Sequence, residues 1–229
     1  KTDCWLDEII QNPPALNLAY TLKEYQPYAE DFPEEQYKFL GASVYDRKEL
    51  EIDFEKTNRP VIYISLGTVI KGAASFFGKC IEAFRNERVD VIISVGKKFS
   101  IHKLRDVPEN CKIYNEVPQI SVLRQADIFV THGGMNSISE ALVYGVPMVV
   151  IPFMSDQPAN ARRIEELGLG KKLDYCMISS EILRTTVLSV MNDEGISANV
   201  SRMQKQMLGA PGNRGGADMI MEYYEKLSR

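Results

Sequence analysis

The sequence predicts an α/β fold built on a doubly wound parallel sheet, and three observations carry that prediction. After Arg59-Pro60, short β-branched apolar runs alternate with longer amphipathic stretches. The apolar runs are nearly continuous, as strands covered on both faces require. Gly168 and Gly195 follow two of the amphipathic stretches, where a left-handed helix cap is wanted. Strands and helices in this alternation define a parallel sheet with helices on its faces.

Taken in order, residues 1–58 stand apart. They carry Pro13-Pro14, Pro27 and Pro33, acids at Glu30-Asp31 and Glu34-Glu35, and little periodicity. Two short apolar runs, 15–20 and 39–41, read as strands without a partner within reach of a short turn, so no independent core is expected here. The segment reads as the trailing end of a preceding domain, followed by a charge-rich linker over 46–58. Core strands are then expected at 61–66, 89–95, 112–115, 128–131, 146–151 and 171–173. Helices are expected at 73–86, 137–144, 158–167 and 179–192. Beyond Gly209-Ala210-Pro211-Gly212 a last helical pattern, 216–228, is expected to pack away from the sheet. The expected division is therefore 1–58, 59–210 and 211–229.

Composition narrows the function. Of 229 residues, 45% are hydrophobic and 25% charged, the balance of an ordinary globular protein. A net charge of −4 argues against non-specific nucleic-acid binding, which wants a basic face. No apolar run approaches the ~20 residues of a membrane span, so no stable insertion is expected. The opening Lys1-Thr2-Asp3-Cys4-Trp5 has no signal-peptide pattern, and the chain reads as cut from something longer. Cys4, Cys80, Cys111 and Cys176 lie far apart with no metal-ligand spacing. Free thiols in a reducing compartment are the simpler reading, and the cytoplasm is expected.

Ligands of open parallel sheets bind where strands end and helices begin. Three polar clusters occupy such ends. Ser65-Leu66-Gly67-Thr68 follows the first core strand, Thr131-His132-Gly133-Gly134-Met135-Asn136-Ser137 the fourth, and Pro152-Phe153-Met154-Ser155-Asp156-Gln157 the fifth. In the middle cluster paired glycines allow close backbone approach, and a helix then opens with free N–H groups that favour an anion. His132 can donate to a phosphate oxygen. A plainer alternative stands beside this: Ser137-x-x-Glu140 fits a capping box, and the glycines fit a tight turn. Neither a dinucleotide fingerprint nor a P-loop is present, which counts against nicotinamide and ATP sites.

The longer stretch reads Glu116-Val117-Pro118-Gln119, Val122-Leu123, Phe129 to Ser137, Glu140-Ala141, Gly145-Val146-Pro147-Met148, Pro152 and Asp156-Gln157. It resembles the signature of UDP-dependent glycosyltransferases of the GT-B fold, specifically the bacterial macrolide and antibiotic group. The similarity extends to Leu16 through Thr21 and to Asn160-Ala161. It implies that the chain is the C-terminal, donor-binding half of such an enzyme, with the donor domain beginning near Pro60.

The resemblance also implies roles. Val117 would hold the uracil edge through its backbone, with Gln119 near base and ribose. Glu140 would accept both ribose hydroxyls. His132, Gly134, Asn136, the Ser137 amide and Thr68 would face the diphosphate. Asp156 and Gln157 would bind the sugar, unless they serve only an Asx turn and a helix start. Glu116 departs from the family pattern, in which many relatives place a stacking aromatic residue. The implied reaction transfers a sugar, expected to be glucose from UDP-glucose, with inversion, to a macrolide, phenol or other small natural product. The acceptor would be met through the N-terminal domain, which would also supply the general base. No catalytic residue is therefore assigned in this chain. No Asp-x-Asp motif occurs, and neither metal nor cofactor is expected, the UDP-sugar being a co-substrate. A stand-alone binding subunit of a two-part enzyme and a nucleotide-sugar 2-epimerase remain the alternatives, and the shared fold does not separate them.

Overall fold

The computed structural model describes residues 14–44, 52, 54, 56–67 and 74–228. The chain divides into two compact units, Lys1–Ser43 with Lys205–Arg229, and Val44–Gln204.

In the first unit, β1 (Asn17–Ala19) and β2 (Tyr37–Phe39) pair in parallel, Leu18 opposite Lys38. The early apolar run at 15–20 thus has a partner, reached through a long connection and not a hairpin, and that partner shares only Phe39 with the expected strand at 39–41. Two strands alone are marginal. The last helix of the chain (Gly212–Leu227) covers them: the Gly212 amide donates to the Leu40 carbonyl at 2.8 Å, and Ser43 Oγ donates to Asn213 at 2.8 Å. At Gly216 a side chain would come within 2.7 Å of Leu40 Cδ1, so the helix lies close enough to need a glycine.

The second unit holds six parallel strands: β3 (Val61–Ser65), β4 (Asp90–Ser94), β5 (Cys111–Tyr114), β6 (Ile128–Thr131), β7 (Met148–Val150) and β8 (Gly170–Lys172). Their order is β5-β4-β3-β6-β7-β8, and each strand runs parallel to its neighbours. The chain leaves β3 towards β4 on one side and returns with β6 on the other. That is a doubly wound sheet with its switch point between β3 and β6. All five residues of β3 are buried, and so are all of β6 and β7. Removing an Ile or Phe of such a strand from water contributes roughly 1.5–3 kcal/mol.

Helices α1 (Ala74–Phe84), α2 (Gln119–Leu123), α3 (Met135–Val143), α4 (Gln157–Glu166) and α5 (Ser180–Met191) connect and flank the strands. α6 (Glu194–Gly209) carries the chain out of this unit, and α7 is the Gly212–Leu227 helix. Gly168 has φ +62° behind α4, and the Leu169 amide reaches back to the Ile164 carbonyl, the expected helix-ending geometry. Gly195 does not end a helix. It lies within the first turn of α6, whose cap is Asp193, accepting from the Ile196 amide at 3.0 Å.

Candidate functional site

A cleft of about 440 Å³ opens at the C-terminal edge of β3, β4 and β5, lined by Tyr63, Ser65, Gly67, Ser94, Gly96 and residues 115–119. Asn115 fixes one wall by donating to the carbonyls of Gly96 at 3.1 Å and Phe99 at 2.7 Å. Glu116 covers nothing with a ring. Its carboxylate pairs with Lys97 at 3.2 Å on the rim, both side chains being exposed, so the pair adds little stability. Val117 lies in the short extended link between β5 and α2, and its backbone groups bond to no other described backbone group. They are available to a flat polar edge inside the cleft.

Pro118 caps α2 and brings Gln119 inward. Gln119 Oε1 accepts from Tyr63 Oη at 3.1 Å, while its Nε2 donates to Glu140 Oε2 at 2.5 Å and lies 3.4 Å from Ser137 Oγ. Glu140 is 6% exposed. α3 opens at Met135 with Gly134 as its cap and no side-chain cap bond, and its first carbonyl partner goes to the Ile138 amide. The capping-box alternative is therefore not what this helix uses: Ser137 is inside the first turn, and Glu140 turns to Gln119. The amides of Met135, Asn136 and Ser137 are left without helical carbonyls, at the positive end of a nine-residue helix. Asn136 is exposed beside them.

His132 stands between Gly67 and Gly134. A Cβ on Gly67 would lie 3.0 Å from its Cε1, and one on Gly134 2.7 Å from its Nε2. Burial pushes the imidazole below its ordinary value, and Asp156 nearby opposes that shift. Nδ1 is buried without a hydrogen bond. A proton on Nε2 orphans only an acceptor there, the less costly choice. The ring is then a neutral donor facing the opening of α3.

The loop after β7 completes the group. Asn160 Nδ2 donates both to the Gly133 carbonyl and to Asp156 Oδ2, each at 2.9 Å. Gln157 is buried, and its Oε1 accepts from the amides of Phe153 at 2.9 Å and Met154 at 3.2 Å. Ser155 takes φ +58° at the tip. Asp156 sits at the cap position of α4 but makes no cap bond, leaving its carboxylate exposed beside Asn160.

The fold thus brings Val117, Gln119, His132, Gly134, Asn136, Ser137, Glu140, Asp156 and Gln157 to one edge of one sheet. Thr68 lies outside the described residues. Tyr63 and Asn160 join this group without a role expected from the sequence. A tyrosine in a buried strand must find a partner for its hydroxyl, and Asn160 falls one helical turn after Asp156; those were the available signals. Among the described residues no group of three or more His, Cys, Asp or Glu side chains is placed to hold a metal ion. No described helix is long and apolar enough to cross a membrane.

The α/β fold of the chain is that of glycosyltransferases of the GT-B class, as its structural neighbours show. The chain superposes on the calicheamicin glycosyltransferase CalG4 with a TM-score of 0.89, at 28% identity over 99% of this chain and 58% of that one. The glycotransferase of kitacinnamycin gives a TM-score of 0.86 at 31% identity, over 96% of this chain and 60% of that one. Residues 30–208 match the family of UDP-glucoronosyl and UDP-glucosyl transferases, and the chain belongs to that family. It is 40% identical over 211 residues to the NDP-glycosyltransferase YjiC of Bacillus licheniformis, covering 91% of this chain and 53% of that protein. Similarity to the oleandomycin glycosyltransferase of Streptomyces antibioticus is 32% over 229 residues, covering 95% of this chain and 53% of that protein. The chain spans about half the length of these relatives.

Proposed function

We propose that this chain binds the nucleotide-sugar donor, UDP-glucose, of an inverting glycosyltransferase whose acceptor is a small molecule such as a macrolide or phenol. One observation carries the reading: Gln119, which lines the cleft, holds at 2.5 Å the buried carboxylate of Glu140 just behind it, on the helix whose uncapped opening faces His132. A carboxylate suits a vicinal diol, and free amides with a neutral imidazole donor suit a diphosphate.

On this reading Val117 meets the base, Gln119 and Glu140 the ribose side, and His132, Gly134, Asn136, Ser137 and Thr68 the diphosphate. Asp156 takes the sugar hydroxyls, and Gln157 adds its amide NH2. Charge on the departing diphosphate is stabilised by these donors without a metal ion. The attacking hydroxyl belongs to the acceptor molecule and its general base to an acceptor domain that these residues do not supply, so the chain alone binds donor and transfers little or nothing. Support comes from the family membership and from the relatives named as macrolide and antibiotic glycosyltransferases.

Calorimetric titration with UDP, TDP, GDP and their glucose forms, with and without EDTA, tests the reading. Saturable binding that is tightest for UDP-glucose and unchanged by EDTA is expected. Absence of nucleotide binding, or binding abolished by EDTA, would sink it.

A further inference from the structure

Tyr63 is buried in the middle of β3 and lies flat on Phe129 of β6, ring centroids 4.6 Å apart and planes 7° from parallel. A phenol this deep is costly unless its hydroxyl is bonded. Here the bond leads outward: Tyr63 Oη to Gln119 Oε1 at 3.1 Å, then Gln119 Nε2 to Glu140 Oε2 at 2.5 Å. An ionised carboxylate only accepts, so Gln119 must turn its NH2 to Glu140. Its carbonyl then faces Tyr63, which is able to donate. A flipped amide would set carbonyl against carboxylate. The chain of bonds therefore has one self-consistent direction, and Tyr63 selects it from the rigid centre of the sheet.

We propose that Tyr63 is a positioning residue for the donor's ribose: through Gln119 it fixes the Glu140 carboxylate in the orientation that accepts the ribose hydroxyls. The proposal rests on the ribose role of Glu140 given above. Three separate elements meet in this relay, β3, α2 and α3, and the phenol is the member anchored by burial and by its stack on Phe129. Preorganisation of this kind raises affinity by removing the cost of ordering the site when ligand arrives.

Titration of the chain with UDP and with 2′,3′-dideoxy-UDP tests it, using the unaltered protein, Tyr63→Phe and Glu140→Ala. Phenylalanine keeps the ring and its stack on Phe129. The unaltered chain should prefer UDP, and Tyr63→Phe should weaken UDP about three- to tenfold, as one hydrogen bond is worth. Affinity for the dideoxy nucleotide should stay within about twofold, because a purely structural role would move both nucleotides alike. Equal loss on both, or no loss, overturns the positioning role. Equal affinity of the unaltered chain for the two nucleotides, or a preference untouched by Glu140→Ala, overturns the ribose role of Glu140 and this proposal with it. A preference lost in Glu140→Ala but kept in Tyr63→Phe overturns Tyr63 alone. Should Tyr63→Phe fail to fold, Tyr63→Met removes the same hydroxyl from an apolar side chain of adaptable shape and must show the same selective loss.

Discussion

Asn160 holds Gly133 by its backbone: the side-chain amide of one donates to the carbonyl of the other at 2.9 Å, across the gap between the loops after β6 and β7. The same nitrogen reaches Asp156 at 2.9 Å, so a single amide ties the loop after β6 to the start of α4. Gly133 itself has no alternative. Its φ is +84°, and a Cβ would lie 2.5 Å from Val150 Cγ1.

Asn160→Leu removes the donor and leaves a buried carbonyl without its partner. Stability should fall by about 1–3 kcal/mol in urea unfolding. UDP-glucose should lose more affinity than UDP, because Asp156 is released. Equal losses for the two ligands would show that the link serves the fold only.

Gly134→Ala puts a methyl group 2.7 Å from His132 Nε2. The backbone at Gly134 has φ −66°, so alanine is not strained there and only the ring must move. Stability should change by no more than about 1 kcal/mol. UDP should bind about tenfold more weakly through loss of a charge-assisted contact. Unchanged affinity would remove His132 from the diphosphate site.

His132 gives a pH signature. Its folded value lies below the ordinary 6.5, chiefly through burial, so the unfolded chain takes up a proton first as pH falls. Stability from this group is fully present above 6.5 and declines as pH drops below it. Thermal midpoints measured from pH 7.5 to 5.0 should fall less steeply in His132→Asn than in the unaltered chain. Identical slopes would mean that the imidazole charges freely in the fold.

Gly170→Ala probes the sheet and not the site. The register pairs Met148 with Gly170, and a Cβ there would sit 1.9 Å from the Met148 carbonyl oxygen. Backbone meets backbone, so β8 must shift, at a cost of about 3 kcal/mol. Urea denaturation reads it directly. Retention of full stability would contradict the register.

The sheet was legible because burial on both faces writes itself as unbroken β-branched runs; 61–66 and 128–131 need no partner to be recognised. The strand-end clusters followed from the sheet. Other features were hidden for identifiable reasons. α2 is five residues long, too short to show a period. α6 begins in Glu194-Gly195, and a glycine after a helical stretch reads as a stop unless the Asp193 cap is noticed. β1 and β2 pair in parallel, and pairing of strands without a hairpin leaves no local trace. Tyr63 was absorbed into its apolar run, although its hydroxyl is what connects the core to Glu140.

The division of the chain has a consequence for how it is made. The strands β1 and β2 leave the ribosome before the six-stranded unit, yet the helix that packs on Leu40 belongs to the stretch after Lys205. At ordinary synthesis rates the interval from Ser43 to Lys205 lasts roughly 8–30 s, long compared with folding of the sheet between them. Throughout that interval the two strands lack the helix that packs on Leu40, while the strands of the six-stranded unit emerge one after another. Slowing translation near α7 would prolong this exposure and should increase capture by chaperones, without altering a single contact of the finished protein.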